Sequence, residues 1–206
     1  MRIIISFFCI IIYITDSLAI NDRVYPNKLN SCTVTEAAIN DYEPEKFGAT
    51  NNLLRSTGGQ PIFCGTKIII KGRVLDENCV PISDAKIYLW QVGCDGKYPY
   101  QPLRNRIDQN LLNLDNGSSF TGSGTATSNN QGEFVFITIY PPALKSEKAH
   151  LNFRVQHRNL GVLQTKFYLS NEHIIEEIDN NDPLLEGNTR IYGFEVVVPG
   201  ETTKRY

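Results

Sequence analysis

Apolar and polar residues alternate with a period of two over most of the chain beyond residue 64. TKIIIKGRVLDE is rich in β-branched residues and stops at the turn ENCVP. AKIYLWQV follows, setting Ala85, Ile87 and Leu89 against Lys86, Tyr88 and Trp90. A Gly-, Asn- and Asp-rich excursion from Gly93 to Gly124 precedes a weaker strand near Thr125 to Ser128. After the turn SNNQGE, EFVFITIY runs to Pro141-Pro142. In EKAHLNFRVQH, Ala149, Leu151, Phe153 and Val155 share one face, and His150, Asn152, Arg154 and Gln156 the other. VLQTKFYL lies beyond the Asn159-Leu160-Gly161 turn, and TRIYGFEVVVP closes the series. EHIIEEI, near 172 to 178, is the only helix candidate in this half. Short strands separated by turn signals predict an all-β domain, an antiparallel β-sandwich, over residues 61–200.

The rest of the chain does not share this pattern. Residues 20–60 are polar and irregular and read as an arm laid across the domain, with a short helical turn at Thr35-Glu36-Ala37-Ala38. Residues 1–19 have Arg2, an apolar run from Ile3 to Ile14 broken by Ser6, and small residues at Ser17 and Ala19. This is the layout of a secretory signal, with cleavage expected after Ala19. No second long apolar segment follows, so no membrane span is expected in the mature chain, which is placed as secreted or periplasmic.

Export changes how the cysteines read. Cys9 leaves with the signal, and Cys32, Cys64, Cys79 and Cys94 predict two disulfides with the pairing left open. No CxxC unit points to zinc or an iron–sulfur cluster. The net charge of -2, with no basic tract, gives no footprint for nucleic acid. Gly122-Ser123-Gly124 lacks the strand-to-helix context of a nucleotide loop, and the Asn116-Gly117-Ser118 sequon matters only in a eukaryotic host.

Four pieces, in order, resemble the intradiol ring-cleavage dioxygenases, the family of protocatechuate and catechol enzymes. They are GGQPIFCGTKIIIKGRVLDENCVPISDAKIYLWQVGCDGKY, FTGSGTATSNNQGEFVFITIYP, AHLNF and QTKFYL, covering about residues 58 to 170. SCTVTEAA also resembles a short segment near the start of family members. The resemblance implies a sandwich of the intradiol type holding non-haem iron(III) between two tyrosinates and two histidines. It implies a small aromatic diol and O2 as reactants, with the ring opened between its two hydroxyls. Phenolate is a hard anion suited to ferric iron, and imidazole completes the shell without adding charge.

Carried over position by position, the first tyrosine ligand resembles Tyr98 and the first histidine His150. The second histidine falls at Asn152, the second tyrosine at Leu144, and an arginine of the histidine segment at Glu147. In the substrate pocket, a glutamine falls at Lys166 and a tyrosine at Tyr168. Tyr140, four residues before Leu144, and the side-chain oxygen of Asn152 are the candidates for local repair of the metal shell. His157 stands at an odd offset from His150, on the opposite face of a regular strand.

Two functions follow. One is an exported dioxygenase with a remodelled iron shell. The other, favoured by Leu144, Asn152 and Glu147, is a non-catalytic secreted sandwich with a binding or structural role. A carbohydrate-binding module would need an exposed aromatic platform, which the sequence does not locate.

Overall fold

Alternation along β1 (Lys67–Leu75) buries Ile68, Ile70 and Val74, and the same rule repeats strand by strand. A computed structural model describes residues 32–55, 62–104, 106–115, 117–144, 147–179 and 188–202. The signal-like residues 1–19, the start of the arm and Asn116 of the sequon lie outside the described residues. The other strands are β2 (Lys86–Trp90), β3 (Ser123–Thr127), β4 (Glu133–Ile139), β5 (His150–Gln156), β6 (Leu163–Tyr168), β7 (Ile174–Ile178) and β8 (Thr189–Val197).

They form two four-stranded sheets, β4-β1-β8-β7 and β3-β2-β5-β6. The pairing is antiparallel, as expected, except that β1 and β8 run parallel with Ile70 opposite Tyr192. Strands far apart in sequence make that pair, so no short turn dictates its direction.

The core between the sheets is dominated by phenylalanine. Phe134, Phe136, Phe153, Phe167 and Phe194 pack ring against ring, with Phe167 and Phe194 stacked at 4.1 Å between centroids. Gly72 of β1 lies opposite Phe134, and a Cβ there would sit 2.1 Å from the ring, so the aromatic fills the room that glycine leaves.

Two elements differ from the sequence expectation. EHIIEEI is not a helix: a 3-10 turn at Asn171–His173 leads into strand β7, which pairs with β8 through a register shift between Ile174 and Glu176. Its β-branched isoleucines suit that sheet edge better than a helix. Residues 35 to 38 likewise form no helical turn: Thr35 N–H donates to Val197 O at 3.0 Å and Ala38 N–H to Gln164 O at 2.8 Å. The arm also enters the core, where Leu53 and Leu54 are buried.

The cysteines pair as Cys32–Cys79 and Cys64–Cys94. The first ties the arm to the turn after β1. The second ties the approach to β1 to the loop after β2. Among the described residues, no helix is long and apolar enough to cross a membrane.

Candidate active site

The outward row of β5 is not a wet face. His150 is 6% exposed and Asn152 only 1%, and the arm crosses this sheet, where Asn40 accepts from Trp90 and Glu43 pairs with Arg154. Register places Asn152 between Trp90 of β2 and Lys166 of β6, with His150 beside Tyr168.

Tyr98 reaches this face from the loop after β2. Gly96, at φ +74°, makes the tight turn there, with Gly93 N–H donating to Lys97 O at 2.8 Å. Tyr98 N–H then donates to Leu111 O at 2.8 Å, fixing the backbone from which the ring enters. The ring packs with Trp90 and Val92 in a second apolar cluster, distinct from the core between the sheets. Tyr42 of the arm stacks on it at 4.6 Å and 9°. Asn40 bridges the cluster: its Nδ2 donates to the Tyr98 hydroxyl at 3.3 Å, and its Oδ1 accepts from Trp90 Nε1 at 3.1 Å. Burial pushes the Tyr98 phenol up to about 12, against the pull of Asn40 and with added push from Tyr42 and Glu147.

His150 is held by its own strand. Nδ1 lies 2.9 Å from Lys148 O, and a carbonyl can only accept, so Nδ1 carries a proton and Nε2 faces the site. Glu147 Oε2 stands 3.4 Å from that Nε2. The same carboxylate accepts from Lys166 Nζ at 2.8 and 3.1 Å. The Lys166 hydrogen bond holds the Glu147 carboxyl below its ordinary value, outweighing the effect of burial. Asn152 Nδ2 donates to Trp90 O at 3.2 Å, while its buried Oδ1 has no partner among the described residues.

Tyr98, His150 and Asn152 thus belong to one buried face, with Lys166 and Tyr168 on the neighbouring strand. Tyr168 is 45% exposed, its ring 5.7 Å from that of His150. Tyr140 lies elsewhere. Its ring is 6.2 Å from Tyr192, and it lines a rim cavity of about 720 Å³ with Cys94, Pro141, Glu177 and Arg190. Leu144, not Tyr140, packs on the Tyr98 cluster. His157 accepts from Asn159 N–H at 3.4 Å, and His173 sits 2.7 Å from Ser170 Oγ, so both serve turns.

No three His, Cys, Asp or Glu side chains group as metal ligands among the described residues, so a metal here would need the phenol and the amide oxygen. Sequence reasoning missed Asn40 and Tyr42, since nothing local marks which arm residue meets which loop. It also missed the Glu147–Lys166 pair, although the opposite charges of the two replacements were a readable signal.

Residues 41–180 match the family described as Dioxygenase. A Rickettsia bellii protein named "Putative dioxygenase" is 47% identical over 203 residues, covering 97% of this chain and 98% of its own length. The protocatechuate 3,4-dioxygenase beta chain of Burkholderia cepacia is 27% identical over 145 residues, covering 70% of this chain and 56% of its own. An intradiol ring-cleavage dioxygenase from Tetranychus urticae shares the fold at TM-score 0.59, with 16% identity, over 82% of this chain and 95% of the other.

Proposed function

This chain belongs to the intradiol ring-cleavage dioxygenase family, and on that premise we propose that it is an exported, iron(III)-dependent member acting with O2 on a small catechol-type diol. The observation that carries the reading is the burial of Tyr98 and His150 on one face beside the unpartnered Asn152 Oδ1. The donors fit a ferric ion in their chemistry: two oxygen ligands and one imidazole whose other nitrogen is already anchored. They do not reproduce a shell of two tyrosines and two histidines, because Leu144 and Asn152 stand at two of those positions.

Tyr98 Oη, His150 Nε2 and Asn152 Oδ1 would hold the ion. Iron(III) held there would supply activation of a catechol-type diol toward O2. The chain's own residues do the positioning. Lys148 O fixes the His150 tautomer, while Asn40 and Tyr42 keep water from the Tyr98 phenol. We assign Lys166 and exposed Tyr168 to the substrate side. The signal-like N-terminus and two disulfides support an oxidising compartment.

A second reading, a non-catalytic secreted sandwich, is favoured by Leu144 packing on the Tyr98 cluster where a second phenolate would have to enter. Iron reconstitution separates the two. The enzyme should retain stoichiometric iron with a visible tyrosinate-to-iron band that Tyr98→Phe removes. It should take up O2 with catechol-type diols, and His150→Ala should abolish that uptake. Colourless, iron-free protein after reconstitution would overturn the enzyme reading.

A further inference from the structure

Glu147 is placed as no bystander would need to be. Its Oε2 is 3.4 Å from His150 Nε2, the ring nitrogen left free by the Nδ1 contact with Lys148 O. Two donors sharing one ion, each bonded at about 2 Å, stand about 3.0–3.5 Å apart.

Other features converge on the same place. Leu144 and Glu147 exchange backbone hydrogen bonds at 3.0 and 2.7 Å, which holds the Glu147 backbone at the head of β5. Asn152 Oδ1, two residues beyond His150 on the same face, is a buried acceptor without a donor. The Tyr98 phenol lies within the field of Glu147 and beside the Asn152 amide. A hard trivalent ion favours oxygen donors, and this face offers the Glu147 carboxylate and the Tyr98 phenol, which would bind a metal as its anion.

We propose that Glu147 is an iron ligand in this chain, completing a set of Tyr98, His150 and Asn152, and that Lys166 competes with the ion for its carboxylate. This inference rests on the iron reading above.

Ferric-ion affinity of the purified protein, measured by competition with a chromogenic chelator, tests it, with circular dichroism melts as the folding control. Glu147→Gln should weaken binding by more than about 100-fold, beyond the roughly 10–100-fold loss typical of an outer-shell residue. Lys166→Met, which frees the carboxylate, should tighten binding several-fold. If Glu147 only pairs with Lys166 and a doubly protonated His150, Glu147→Gln will leave affinity within a few-fold and Lys166→Met will not tighten it. That result overturns the inference and, with wild-type iron binding intact, leaves the proposed function standing. A wild-type protein that takes up no iron overturns both. Should Glu147→Gln fail to fold, Lys166→Met decides alone: tighter binding upholds the ligand role, and unchanged binding overturns it.

Discussion

Asp76 does for the turn after β1 what Asn40 does for Tyr98: it satisfies several groups from one buried side chain. It accepts from the N–H groups of Asn78 and Val80 through Oδ1, and from the Thr202 N–H and hydroxyl through Oδ2. Burial alone would raise its pKa, but these four bonds outweigh it and hold the carboxyl below its ordinary value. Its stabilising contribution is therefore complete above the unfolded value near 3.9 and disappears as pH falls through the lower folded value. Asp76→Asn turns two acceptor sites into N–H donors facing other donors and should cost about 1–3 kcal/mol at neutral pH. Melting curves should also show the wild type losing more stability than the variant between about pH 5 and pH 2.

At the scale of the element, strand existence was legible because the sandwich buries one side of each strand, which imposes the two-residue period that predicts seven of the eight. The eighth, β7, was misread. Ile174, Ile175 and Ile178 fit a helical spacing as well as a strand, and only an unpaired edge of β8 settles the choice. Gly72 gives a direct test of strand packing. Gly72→Ala would drive the Phe134 ring out of its contacts with Phe136, Phe153 and Phe194. The expected loss is about 1–3 kcal/mol, read as a lower denaturant midpoint with an unchanged slope.

For the whole molecule, the disulfides decide how firmly the site is held. Cys64–Cys94 spans 30 residues and fastens the loop that carries Tyr98 to the approach to β1. In the chain-entropy account, a loop of that length contributes about 3–4 kcal/mol. The double variant Cys64→Ser, Cys94→Ser should lose about that much in denaturant unfolding, and the wild type should match it only under strong reductant.

The sequence alone determined seven of the eight strands, the sandwich, the number of disulfides and the family. Each is written in local periodicity, in cysteine count, or in short ordered motifs. It also carried Tyr98, His150, Asn152, Glu147 and Lys166 as positions of interest. Only the tertiary structure decided what those positions are to one another. It buried His150 and Asn152 of β5 and stacked Tyr42 of the arm on Tyr98. It also sent Tyr140 to the rim and brought Glu147 between His150 and Lys166. Apart from the Glu147–His150 contact, three residues apart, these join segments distant in the chain or neighbouring strands in register, and no local period encodes them.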